Sequence, residues 1–381
     1  MQSSAPVVSF SADVEFLQAH GGLTLLTAAH GGRVAVSARY QARVMTSAVS
    51  ASGASLGWVN RAPIASGKTG TPFDNYGGED RFWLGPEGGQ FSVFFAPGTP
   101  FELGHWQTPG GFQEGTWDIA AQGQGFVSFE RSFSVKNHAG TDFEMAVKRR
   151  IELLEVADVG RALGITLPDQ LDWVAYRSDN QISNAGARAW TEQSGLVSIW
   201  SLGMFAPADD TWVIAPFERA ARGSIVNSDY FGALPRDRLR VDEERGVVLF
   251  LADGKYRSKI GLSQARSKPV AGSYTRSEKR LSIIRYSVPT DPRLYVNSKW
   301  ETQREPFAGD LFNSYNHGTL EAGKVADLRF YELESSSPGA LLEPGQALRH
   351  EHQTFHFLGE ELALDKIATQ VLGVSLSAIG A

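Results

Sequence analysis

Gly125-Phe-Val-Ser-Phe-Glu-Arg-Ser-Phe-Ser-Val135 and Asp142-Phe-Glu-Met-Ala-Val-Lys-Arg-Arg-Ile-Glu-Leu-Leu154 are aromatic and β-branched runs parted only by a short break with Asn137 and Gly140. Runs of that texture bounded by turn residues read as strands. The same texture predicts strands over residues 23–28, 33–44 and 91–95 upstream. Downstream it predicts them over 173–182, 195–205, 211–217, 247–251, 281–287, 328–334 and 348–358. No helices of ten to fifteen residues alternate with these runs. A doubly wound α/β fold is therefore rejected, and stacked antiparallel sheets are predicted.

Helical patterns are few. Ser11-Ala-Asp-Val-Glu-Phe-Leu-Gln-Ala-His20 carries a capping serine, apolar Val14, Phe16 and Leu17, and a Gly21-Gly22 stop. A turn or two is expected over 158–164. A closing helix is expected over 360–372, where Leu362, Leu364, Ile367, Ala368, Val371 and Leu372 recur near helical spacing before Gly373. Such a helix is expected to cover a sheet edge or an open face. With no Pro/Ser linker and no fixed-period repeat, the expectation is a flexible lead over 1–10 and a single domain over 11–381.

The 381 residues are 42% hydrophobic and 20% charged, too apolar and too weakly charged for a disordered chain. No stretch approaches the eighteen apolar residues of a membrane span. Thirty-six basic against 42 acidic residues give a net charge of −6, which argues against a nucleic-acid partner. The chain has no cysteine, so disulfides, thiolate metal sites and Cys nucleophiles are excluded. Met1-Gln-Ser-Ser-Ala-Pro6 has neither the basic region nor the apolar core of a signal peptide. A short polar lead also fits a processed exported chain, so a periplasmic or secreted location is expected, with cytoplasm the alternative.

Chemistry concentrates in three stretches. Asn75-Tyr-Gly-Gly-Glu-Asp-Arg-Phe-Trp-Leu-Gly-Pro-Glu-Gly-Gly-Gln90 sets Glu79, Asp80, Arg81 and Glu87 beside Tyr76 and Trp83, between glycines that permit close backbone approach. Charged groups beside planar rings suit a sugar, whose hydroxyls need polar partners and whose ring face stacks on an aromatic. An internal pairing of Arg81 with Glu79 or Glu87 is the structural alternative. In Phe330-Tyr-Glu-Leu-Glu-Ser-Ser-Ser-Pro338, Glu332 and Glu334 fall on one face of a strand, about 6.6 Å apart, with Leu333 on the core side. Paired carboxylates serve as acid and base in sugar chemistry, and Glu334 is favoured because it is expected at the strand's end. In Arg349-His-Glu-His-Gln-Thr-Phe-His-Phe357, His350, His352, Thr354 and His356 share one face, opposite Phe355 and Phe357.

His350 is expected as a catalytic partner of Glu334, with Glu332 in support. His352, His105 and Trp106, Lys255 and Arg257, and Asn316 and His317 join Glu79, Asp80, Arg81, Trp83 and Glu87 as expected substrate contacts. His350 and His352 suffice for a metal only if a carboxylate joins them, and no such ligand is identifiable. No cofactor is implied, and a calcium ion finds no support. Walker A, nucleophile-elbow and His-Glu-x-x-His patterns are absent, which removes NTPase, lipase-type and zincin readings.

The order of these pieces resembles the galactose mutarotase-like, or aldose 1-epimerase-like, β-supersandwich superfamily. The carriers are Phe330–Pro338, the Leu342-Glu-Pro-Gly-Gln346 turn and the strand ending Thr354-Phe-His-Phe357. Residues 76–90, Gly195-Leu-Val-Ser-Ile-Trp-Ser-Leu-Gly-Met204 and Lys255-Tyr-Arg-Ser-Lys-Ile-Gly261 are similar to a bacterial, mostly exported family of unknown function within it. The resemblance implies an all-β supersandwich, a sugar or oligosaccharide ligand, and a base at Glu332 or Glu334. Where mutarotases carry a histidine in a Gly-rich segment, this chain has Tyr76-Gly-Gly78. Where they carry a general-acid histidine it has Ser198-Ile-Trp-Ser-Leu-Gly203. One carboxylate without its acid is half a mechanism. Either another residue, such as His105, His317 or His350, supplies the proton, or the protein does not epimerise. A carbohydrate-active enzyme (epimerase, hydrolase or lyase), a glycan-binding protein and a structural module are the three expected classes.

Overall fold

The two quoted runs do form neighbouring strands, Phe126–Lys136 and Asp142–Leu153, paired from Phe126 with Glu152 to Lys136 with Asp142. They belong to a ten-stranded sheet in a computed structural model that describes residues 8–70, 72–320 and 326–379. Across this large sheet the strands run Leu239–Asp242, Val247–Leu251, Thr211–Pro216, Val270–Thr275, Arg280–Tyr286, Ala347–Leu358, Asp172–Asn184, Asp142–Leu153, Phe126–Lys136 and Asp118–Gly123. A five-stranded small sheet runs Ser258–Ser263, Asp310–Asn316, Tyr331–Ser336, Ser198–Phe205 and Arg81–Gly85. Thr24–Thr27, Arg33–Ser37 and Arg43–Ala48 make a third, three-stranded sheet. Every strand pairing is antiparallel.

Alternation along the strands sorts side chains into layers. On the Ala347–Leu358 strand, Phe355 and Phe357 pack outward beneath the closing helix, Glu361–Ile367, and its π-helical continuation Ala368–Leu372. Leu364, Ile367, Ala368 and Leu372 are the helix residues in that contact, and Gly373 ends it in a left-handed conformation (φ 71°). The inward residues of the same strand are His350, His352, Thr354 and His356, all buried.

The small sheet packs against that inward face through Tyr331, Leu333 and Phe312, and through Phe82 and Ile199. A polar layer lies within the contact. Arg149 donates to Asp80 at 2.9 Å, to Asn180 and to the Ala42 carbonyl. His356 stands between Ser282 at 2.7 Å and Glu79 at 2.8 Å. Ser335 lies 2.8 Å from both His350 Nε2 and His352 Nδ1. Buried polar groups need such partners, so this layer locks the mutual position of the sheets.

Some local expectations change. The N-terminal helix spans Phe10–Ala19 and is capped by Ser9, whose hydroxyl accepts from the Ala12 N–H, rather than by Ser11. Phe10 is only 2% exposed, so the folded part begins inside the expected lead; residues 1–7 of that lead lie outside the described residues. The run over 33–44 breaks into two strands at Gln41 and Ala42, both with positive φ. Residues 91–95 form no strand and wedge Phe94 and Phe95 into the core. Arg81–Gly85, Ser258–Ser263 and Asp310–Asn316 are strands where none was expected.

Arg149 and Asp80 are each at most 1% exposed. Replacing Arg149 by Met leaves Asp80 an uncompensated buried charge and should cost roughly 3–5 kcal/mol. The Arg149→Met, Asp80→Leu double variant should recover much of that loss. Urea unfolding measures both, and a single-variant loss under about 1 kcal/mol would contradict the structural role.

Candidate functional site

The face of the small sheet turned away from the large sheet carries a second, different set of charges. Register puts Arg81, Leu202, Glu334 and Asn313 in one row across four strands, with Trp83 and Trp200 in the next. Glu334 is fully buried, and its Oε2 accepts from Lys259 Nζ and from Trp200 Nε1, each at 3.0 Å. Its Oε1 has no protein partner. Glu332 accepts from Arg81, whose guanidinium lies 4.9 Å from the centre of the Trp83 ring.

Electrostatics separate these groups. Burial pushes the Glu332 carboxyl up to about 7; Arg81 opposes the rise and Glu334 adds to it. Burial likewise raises Glu87, against the pull of Lys259. Burial works to lower Lys259, but the Glu334, Glu87 and Glu332 carboxyls outweigh it and hold the ammonium above its ordinary value. Its Nζ sits 5.0 Å from the Trp200 ring centre and 5.6 Å from that of Tyr230, favourable positions for a cation.

Beside this cluster opens a cavity of about 230 Å³ whose walls include Ser198, Trp200, Tyr230, Lys259, Asp310 and Asn313. Tyr230 donates to Asp310 Oδ2 at 2.5 Å, Asn227 donates to the same oxygen at 3.1 Å, and Asn313 donates to Tyr230 at 3.1 Å. Gly261 makes room for this group: a Cβ there would stand 2.2 Å from Asp310 and 2.6 Å from Asn313. The Ser198 hydroxyl is buried at the wall with no protein partner.

The family model for a family of unknown function, DUF6786, matches residues 8–381. The chain belongs to that family. No curated protein sequence matches the DUF6786 chain. Its fold is similar to that of an aldose 1-epimerase candidate from Escherichia coli K12, at 12% identity and TM-score 0.51, over 88% of this chain and 99% of that one. The Slr1438 protein of Synechocystis sp. PCC 6803 matches at 10% identity and TM-score 0.51, over 94% and 100%. A galactose mutarotase-like protein from Lactobacillus casei matches at 9% and 0.49, over 88% and 100%. The DUF6786 chain thus has the galactose mutarotase-like antiparallel fold with a C-terminal helix.

Of the residues singled out in the sequence, the structure brings Glu332, Glu334, Arg81, Trp83 and Glu87 together. Arg257 is close by, 4.5 Å over the Phe231 ring, and His317 stacks on Phe330 at the margin. Trp106 joins through the ring cluster of Trp83 and Phe94. His350 and His352 are not there. They lie on the opposite side of the small sheet, bonded to Ser335, and burial lowers His350 to about 3, so neither supplies a proton to Glu334. Glu79 and Asp80 likewise belong to the layer between the sheets, because they precede the strand that carries Arg81. Asn316 clamps the 253–256 loop, Lys255 pairs with Asp209 at the surface, and His105 is exposed. Glu334 stands mid-strand, not at its end. Lys259 and Trp200 sat inside quoted motifs without being named as site residues; Tyr230 and Asp310 had no motif. Among the described residues no three His, Asp or Glu side chains converge as a metal site, and no helix is long and apolar enough to cross a membrane.

Because the folded Glu332 carboxyl titrates near 7 against an ordinary 4.5, the folded state holds its proton more tightly than the unfolded chain does. Its contribution to stability is complete below about pH 4.5 and declines as the pH rises to 7, by about 3 kcal/mol at most. Urea unfolding between pH 5 and 8 should show this decline in the native protein and lack it in Glu332→Gln. Equal pH slopes in the two proteins would show that Glu332 does not titrate there.

Proposed function

We propose that the cleft on the outer face of the small sheet binds one sugar unit and interconverts its anomers, with Glu334 taking the proton from the anomeric hydroxyl. The observation that carries this reading is the setting of Glu334. It is a fully buried carboxylate, fixed through one oxygen by Lys259 and Trp200, with the other oxygen unpartnered. A buried acceptor without a partner costs free energy unless a ligand supplies the donor. The cavity of about 230 Å³ is small beside the roughly 300–1,000 Å³ of pockets for drug-sized ligands, which suits a single ring rather than an extended glycan. Its walls offer hydroxyl, amide, ammonium and carboxyl groups, the mixture of donors and acceptors that sugar hydroxyls need. The fold shared with an aldose 1-epimerase candidate supports the sugar assignment by analogy alone.

A second reading, binding without turnover, is favoured by Tyr76-Gly-Gly78 and Ser198–Gly203 standing where mutarotases keep histidines. One experiment separates the two. Anomer interconversion is followed by NMR across a panel of freshly dissolved aldoses and uronic acids, with binding measured in parallel. The Glu334→Gln variant keeps the shape and an acceptor for Lys259. Acid–base catalysis by Glu334 predicts a loss of roughly 10²-fold or more in turnover. A binding protein shows no turnover in either form and a weakening of about 1–3 kcal/mol in the variant. Undiminished turnover in Glu334→Gln removes Glu334 from the mechanism.

A further inference from the structure

The small sheet is irregular at one place, and the irregularity turns a carboxyl toward the cavity. Pairing between the first two strands runs regularly from Ser258 with Asn316 to Leu262 with Phe312, then skips Leu311, so that Ser263 pairs with Asp310. Leu311 and Phe312, though consecutive, both bury in the same apolar cluster. Strict alternation would have sent one of them outward and Asp310 inward. A bulge resets the phase, and Asp310 joins Asn313 on the cavity wall.

The hydrogen bonds around Asp310 are one-sided. Tyr230 and Asn227 both donate to Oδ2. No cation lies within ion-pair distance of Asp310 among the described residues; the nearest ammonium groups felt there are Lys259, which is committed to Glu334, and Lys299, which pairs with Asp229. Glu305 also lines the cavity. With both donors on Oδ2, a proton on this carboxyl belongs on Oδ1. Burial raises the group above its ordinary range, against the pull of Tyr230, Asn227 and the two lysines.

We infer that Asp310 is the acid that complements Glu334, a carboxyl doing the work that a histidine does in mutarotases. The inference rests on the sugar reading of the cleft. In the forward step the Glu334 carboxylate takes the proton of the anomeric hydroxyl. The C1–O1 bond becomes a carbonyl, the C1–O5 bond breaks, and O5 takes the proton from Asp310 Oδ1. After rotation about C1–C2 the same transfers run in reverse, and both carboxyls recover their starting protonation. Tyr230 and Asn227 are positioning residues: by occupying Oδ2 they aim the proton at Oδ1. Different surroundings, a bonded cation at Glu334 and two neutral donors on one oxygen at Asp310, are what distinguish base from acid within the one site.

The test uses the full chain in two arms. In the first, anomer interconversion of the best aldose is compared in the native protein, Asp310→Asn and Glu334→Gln. Asp310→Asn keeps the shape and the acceptor for Tyr230, and should lose roughly 10²-fold in kcat with KM little changed. Full turnover in Asp310→Asn while Glu334→Gln is inactive overturns the inference and leaves the sugar reading standing. A native protein that converts none of the panel overturns the anomer-interconverting reading instead, and the parallel binding measurement then decides whether the cleft takes a sugar at all. The second arm needs no substrate. Protein labelled with carboxyl-¹³C aspartate is titrated by NMR, the Asp310 signal being the one missing from Asp310→Asn. A midpoint clearly above the ordinary aspartate value of about 4 supports the inference; one at or below it overturns the acid role. Tyr230→Phe should shift that midpoint further upward, since it removes a donor to the charged form.

Discussion

A carboxylate at zero exposure has to be compensated where it stands, and in this molecule Lys259 compensates Glu334. Neither group tolerates burial alone, because removing one charge leaves the other desolvated and unpaired. The pair fixes the alignment of the first and third strands of the small sheet, across the intervening strand that contributes Asn313. It also sets the local field. Three carboxyls, Glu334, Glu87 and Glu332, hold the ammonium above its ordinary value, while burial is the largest influence on Glu332, opposed by Arg81 and reinforced by Glu334. Everything proposed for the cleft depends on that division between a carboxyl paired with a cation and neighbouring carboxyls that burial pushes toward neutrality.

The small sheet is charged on both faces, for different reasons. On the inner face, Asp80 with Arg149 and Glu79 with His356 join two sheets that an apolar contact alone would leave free to slide. Each of those carboxyls is held through one oxygen by its partner across the layer and is closed to solvent, although Glu79 Oε2 and Asp80 Oδ2 have no partner. On the outer face, Glu334 Oε1 and Ser198 Oγ are left without partners beside a cavity. What distinguishes site from structure is the cavity: unpartnered oxygens on the inner face are sealed between two sheets, whereas Ser198 Oγ on the outer face stands on a cavity wall beside the Glu334 pair.

Period-two alternation made much of this legible in advance. It placed Glu332 and Glu334 opposite Leu333, and His350, His352 and His356 opposite Phe355, and the coordinates agree on both. It could not say which face of a strand meets which sheet. His350 and Glu334 therefore looked like partners while lying on opposite sides of a sheet. Glu79, Asp80 and Arg81 looked like one cluster, although Glu79 and Asp80 turn into the layer between the sheets and Arg81, on the strand that follows, turns to the outer face. The strands Ser258–Ser263 and Asp310–Asn316 escaped notice because their runs are dense in polar residues, Lys259 and Asn313 among them, that belong to the cleft. A functional strand departs from the apolar pattern at the positions where it functions.

Asp310 was the least legible of all, and the reason is geometric. Its side chain reaches the cavity through a bulge, and no residue type announces where a strand pairing skips one position. The supporting signals are dispersed: Gly261 on the neighbouring strand, where any side chain would collide with Asp310 and Asn313, and Tyr230 in a loop eighty residues upstream. Each is ordinary alone. Only together do the glycine, the bulge and the tyrosine place and hold the carboxyl at the cavity. With Leu311 and Phe312 both committed to the core, restoring regular pairing would turn Asp310 into that same apolar layer. The bulge thus spares the core a carboxyl and gives the cavity one, so that stability and chemistry pull this strand in the same direction.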